Sequence, residues 1–153
     1  MSEYYATIQW QRDGDDFLAN TYSRGHTWTF DGGLVVPASS APDVVPPPQS
    51  VTENVDPEEA FIASLSSCHM LWFLAIAGKS GYIVDDYSDQ ASGLMSKNDE
   101  GKLAISEVTL KPKTCFSGDK IPDREQLEKL HEKAHRNCFI ANSVTSEIKI
   151  ELD

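Results

Sequence analysis

Basic charge is what this chain has least of. Thirteen lysines and arginines stand against 24 aspartates and glutamates, for a formal net charge of −11 over 153 residues. Such a surface repels phosphate backbones and anionic lipid, so nucleic-acid and membrane-surface partners are not expected. Cysteine is scarce too: three residues, Cys68, Cys115 and Cys138, are too few for a disulfide framework and read as free, metal-binding or redox-active thiols. The start, "MSEYYATIQWQRDGDD", has neither a basic cluster nor an apolar block, so no secretory signal is expected and the cytoplasm is the expected compartment. Long apolar runs are also lacking, with one exception at 60–77, "AFIASLSSCHMLWFLAIA". It approaches the ~20 residues a membrane span needs. Ser64, Ser66, Ser67, Cys68 and His69 interrupt it, and it reads instead as a core helix covered on all sides.

What is present fits one domain over 1–153, with 40% hydrophobic and 24% charged residues and no internal repeat. "YYATIQWQR" (4–12) alternates and is rich in β-formers, so it is expected to be a strand. "RDGDD" is a turn, and further strands are expected near "FLANTYS" and at "HTWTF". Residues 37–50 hold five of the eight prolines and predict an irregular functional loop or cover. At "DPEEAFIASL" Asp56 suits a helix N-cap, Pro57 the first helical position and Glu59 the reciprocal partner of a capping box; Gly78 and Gly81 mark the end. "YIVDDYSDQASGLMS" and "LAISEVTLKPKTC" have strand character around the turn "KNDEG". "PDREQLEKLHEKAHRN" is an amphipathic helix with Leu127, Leu130, His131 and Ala134 on one stripe, and "TSEIKIEL" is a final half-exposed strand. The order predicts an α+β fold in which antiparallel sheet wraps a buried helix.

On a helical wheel Cys68 shares a face with Phe61, Leu65, Leu71, Trp72 and Ala75. A free cysteine in that setting commonly packs as a small hydrophobe. If the later helix runs through "HRNC", Cys138 joins its inward stripe, and two inward thiols are compatible with a reversible disulfide wherever their Cα atoms come within about 7 Å. Cys115 has no evident partner. A nucleophilic Cys68 would need a cation, since burial raises a thiol's pKa. Of only four arginines, Arg24 in "YSRGHTW" is the best placed, and Glu58 or Glu59 would hold it. Glu58 lies roughly 15 Å from Cys68 along a helix rising 1.5 Å per residue, a gap that two copies of the chain close more easily than one.

Together "DPEEAFIASLSSCHM" and "HEKAHRNCFIANS" resemble the OsmC/Ohr family, the osmotically inducible and organic hydroperoxide resistance proteins. Asp56, Pro57, Glu58 and Cys68 match its acidic-Pro-Glu start and the spacing to its first cysteine; Cys138 takes the place of the second, and Arg24 that of an arginine in the N-terminal β-region. The resemblance implies an intertwined homodimer and a thiol peroxidase without a bound cofactor. Cys68 would reduce a small organic hydroperoxide and become a sulfenic acid, and Cys138 would close a disulfide that an external dithiol or lipoyl-type reductant opens. Arg24, held by Glu58, would stabilise the charges. Phe139 departs from the proline that often follows the second cysteine in that family.

Two other readings stand beside it. His131, His135 and Cys138 have the spacing H-x3-H-x2-C and would make a zinc site if Cys68 or His69 joined them, although His135 projects away from the inward stripe. A non-catalytic protein of the same fold would bind an apolar ligand, with Ser64, Ser66, Ser67 and Trp72 lining its pocket. His69 points about 100° away from Cys68 on the wheel and reads as a hydrogen-bonded core histidine rather than its base.

Overall fold

The structure, a computed structural model, describes residues 1–153. Backbone contacts divide the chain into two units, Met1–Ala60 and Phe61–Asp153. In the first, β1 (Ala6–Gln9), β2 (His26–Phe30) and β3 (Val35–Ala38) form an antiparallel sheet in that order. The turn between β2 and β3 closes on Gly33, whose φ of 88° suits glycine and few other residues. No strand forms at "FLANTYS". The Asp16 carboxylate accepts from the Leu18 and Ala19 amides and winds that stretch into a turn, the local competition expected of aspartate. The proline-rich segment starts as strand, because Pro37 falls on the last strand of its sheet, where a missing N–H is tolerated. Beyond it the loop is irregular and pinned: Ser39 Oγ accepts from the Val51 amide at 2.9 Å, and the Asn54 amide group donates to the Ala38 carbonyl at 3.1 Å.

Helix α1 spans Pro57–Lys79. Its capping box is complete: the Glu59 amide donates to Asp56 Oδ1 at 2.7 Å and the Asp56 amide to Glu59 Oε2 at 3.2 Å. It ends as its glycines predict. Gly81 sits at φ 86°, its amide bonds back to the Gly78 carbonyl, and the Tyr82 amide bonds to Ala77 in a Schellman closure.

The second unit continues with β4 (Ile83–Asp89), β5 (Ser92–Lys97), β6 (Leu103–Leu110), β7 (Pro112–Ser117), α2 (Arg124–Asn137), a 3-10 turn at Ala141–Ser143 and β8 (Glu147–Ile150). Each of the two extended segments read from sequence is thus a pair of strands. β4 pairs with β7, and β5, β6 and β8 form a second sheet. The expectation of antiparallel sheet holds except at one edge, where β8 runs parallel to β6 because α2 carries the chain back to the starting end. Two apolar clusters flank α1: Phe73 and Ala77 with Tyr82, Leu130 and Ala134, and Leu65 with Val108 and Leu110. Helix α1 is long and apolar enough to cross a membrane by length and composition only, as core helices can be, and 22% of its most apolar 18-residue stretch is buried here. Within the single chain the cover is partial, and Leu71 is 60% exposed.

Candidate active site

Cys68 and Cys138 are neighbours. Cys68, half-buried on α1, lies near enough to act on the thiol of Cys138, which is 1% exposed. Helix α2 stops one residue short of the second cysteine: Cys138 is its C-cap, with φ −66° and ψ 110°, and its amide still reaches the His135 carbonyl. The Ala141 amide, on the following 3-10 turn, donates to Cys138 Sγ at 3.4 Å. Burial, and then the proximity of Cys68, push the Cys138 thiol up to about 11, against a smaller opposing pull from the Ala141 amide. At neutral pH Cys138 is therefore a thiol. Both cysteines are free, and Cys115 is exposed on β7, where it faces Asp86 of β4.

Cys68 opens on a cavity of about 550 Å³. Helix α1 supplies Ser64, Ser67, Leu71, Trp72 and Ala75, and Phe139 and Ile140 close the other side. Phe61 and Leu65, placed on this face by the wheel, turn instead into the cluster with Val108 and Leu110. The third serine is elsewhere too, with Ser66 Oγ donating to Asp89 at 2.5 Å. No lining side chain carries a charge.

His69 takes the opposite side of α1. It is 1% exposed and its Nε2 is 2.9 Å from Nδ1 of His131, also buried, with the two rings within 2° of coplanar. Phe73 stacks on His131 at 4.2 Å. Burial holds both imidazoles below their ordinary value, His69 at about 4 and His131 at about 3; the neighbouring His135 adds to the first and His69 to the second. The sequence predicts a hydrogen-bonded core histidine here. It does not disclose the partner, although His131 on the inward stripe of α2 was the signal. The zinc arrangement is not assembled: no three His, Cys, Asp or Glu groups lie where they would share a metal ion.

Arg24 and Glu58 belong to the other unit and are not paired in this chain. Arg24 donates to the Tyr22 carbonyl at 2.5 Å and to Asn20 Oδ1 at 2.6 Å, its guanidinium 3.6 Å above the Tyr22 ring. One Glu58 carboxylate oxygen is buried without a partner. The sequence does not mark Phe139 and Ile140 as pocket residues; their only signal is their place directly after Cys138.

The OsmC-like protein family model matches residues 50–153, a span that holds both cysteines and α1. The chain belongs to the OsmC-like family. Among solved structures it is similar to an OsmC-like protein of unknown function from Vibrio cholerae, with 53% identity, 100% of each chain covered and a TM-score of 0.98. The organic hydroperoxide resistance protein OhrB of Bacillus subtilis shares the fold at 22% identity, with 98% of each chain covered and a TM-score of 0.68. An organic hydroperoxide resistance protein from Legionella pneumophila does so at 15% identity, over 99% of this chain and 96% of that one, with a TM-score of 0.66. No curated protein sequence matches the chain. The α+β fold is thus the OsmC/Ohr fold.

Proposed function

We propose that the protein is a cysteine-based peroxidase that reduces organic hydroperoxides. The observation that carries this is the thiol pair: two cysteines 70 residues apart, one buried and one bordering an apolar cavity whose far side is formed by the two residues after the other. In the first step the Cys68 thiolate attacks the terminal oxygen of R–O–OH. The O–O bond breaks, the alkoxide leaves and takes up a proton to become ROH, and Cys68 is oxidised to a sulfenic acid. In the second, Cys138 gives up its proton and attacks Cys68 Sγ; the hydroxide that leaves combines with that proton as water, and a disulfide remains. An external dithiol, of lipoyl type or similar, restores both thiols in two exchanges and is itself oxidised to a disulfide. The high pKa of Cys138 suits this order. Held as a thiol, it leaves the first attack to Cys68.

The cation that Cys68 needs is assigned to Arg24, with the unpartnered Glu58 carboxylate as its anchor and a homodimer as the assembly that supplies them. Free thiols on an acidic chain suit a reducing cytoplasm. The test is to mix reduced protein with cumene hydroperoxide, count thiols and map linkages by mass spectrometry. Loss of two thiols with a Cys68–Cys138 link and free Cys115 supports the reading; unchanged thiols overturn it. A second reading, a non-catalytic binder of an apolar ligand, draws on the uncharged lining of the cavity. It predicts ligand uptake with all three thiols intact.

A further inference from the structure

The cavity beside Cys68 is uneven along α1. Ser64 lies one turn towards the N-terminus and Trp72 one turn towards the C-terminus, with Ala75 about 10 Å from Cys68 at the helical rise per residue. The Ser64 hydroxyl is spent on the Phe61 carbonyl at 2.8 Å. At the other end the lining is wholly apolar. There the Phe139 ring stands edge-on to Trp72, with centroids 5.3 Å apart and planes at 74°. Phe139 is 68% exposed, although the residue before it, Cys138, is 1% exposed. A ring so exposed adds little to its own fold, yet it offers apolar surface to whatever enters the cavity.

We propose that Trp72 and Phe139 form a slot for the organic group of the peroxide, and that Phe139 is the residue that sets selectivity for it. This rests on the peroxidase reading. With the O–O bond at Cys68, an aryl or extended alkyl group directed along α1 reaches both rings. A compact group stops short of them, and hydrogen peroxide has nothing to place there. Phe139 touches the group that does not react, so it changes which peroxide is chosen rather than the bond-breaking step.

The experiment compares kcat/KM for cumene hydroperoxide and hydrogen peroxide in the wild type, Phe139→Ala and Phe139→Leu. Phe139→Ala is expected to lose roughly tenfold on cumene hydroperoxide and to stay within about twofold on hydrogen peroxide, with Phe139→Leu between. Equal losses on both substrates, or none on either, overturn the proposal. Binding of the product alcohol, 2-phenyl-2-propanol, read by tryptophan fluorescence with Trp72→Phe as the control, probes the slot without turnover. If the wild type consumes no peroxide but binds the alcohol, and Phe139→Ala weakens that binding, the peroxidase reading falls and the slot stands. If peroxide is consumed but neither the substrate ratio nor alcohol binding responds to Phe139→Ala, the slot falls and the peroxidase stands.

Discussion

The two faces of α1 are both apolar in sequence and differ in what covers them. On one, Leu65, His69, Phe73 and Ala77 recur at every fourth position and none is more than 1% exposed. Strands and α2 pack against that side, and its one polar residue shares a hydrogen bond with another buried histidine, while the outer ring nitrogens of both, His69 Nδ1 and His131 Nε2, have no partner. On the other, Ser64, Cys68, Leu71, Trp72 and Ala75 border open space. The polar residue there keeps a reactive atom accessible. Cys68 and His69 are adjacent in the chain, yet one rotation of about 100° separates a group held for packing from one left for chemistry. An apolar helix is thus no guide to its own burial. What decides is how many elements the rest of the chain can bring to it.

The sharpest way to break this contrast is Cys68→Ser. It is expected to remove peroxide turnover by a factor on the order of a thousand or more, with little change in melting temperature. Full activity in that variant would end the catalytic assignment. Next comes a paired truncation read by urea unfolding. Phe73→Ala on the filled face should cost about 3–5 kcal/mol, whereas Leu71→Ala on the open face should cost less than about 1 kcal/mol. Equal costs would erase the distinction between the faces.

The histidine pair gives the filled face a pH signature. Unfolded, both imidazoles titrate near 6.5; folded, they stay neutral down to about 4 and about 3. Between those limits only the unfolded chain binds the protons. Stability is therefore complete above pH 6.5 and falls as the solution is acidified, by up to about 1.4 kcal/mol per pKa unit of each shift. Melting temperatures measured from pH 7.5 to 4.5 should decline along that window, and a His69→Leu/His131→Leu double variant should flatten the decline. Parallel curves would exclude the pair as its source. A modest effect is expected where α1 meets β5. A Cβ at Gly93 would lie 2.7 Å from Ile62 Cδ1 and 3.1 Å from Ile105 Cγ2. Both are movable side-chain atoms, so Gly93→Ala should cost about 1–2 kcal/mol in the same unfolding assay.

Features carried by neighbouring residues were legible in the sequence. The cap at Asp56 and Glu59, the stop at Gly81 and the stripe of α2 rest on short-range geometry, and the structure reproduces them. The nearness of Cys68 and Cys138 was readable only as a possibility, because spacing places two thiols on inward faces without setting the distance between helices. What escaped depends on long-range partners. The direction of β8, the mate of His69 and the turning of Leu65 away from Cys68 are settled by elements tens of residues away. Pro37 in β3 and the turn at Asp16 escaped for a different reason: each rests on a local exception to a propensity rule.

The parallel pairing of β6 with β8 bears on what a link between the thiols would constrain. It closes a loop that contains all of α2 and Cys138, and Cys68 lies earlier still, outside it. A Cys68–Cys138 disulfide would therefore tie α1 to that loop, a constraint that limits the unfolded chain more than the folded one.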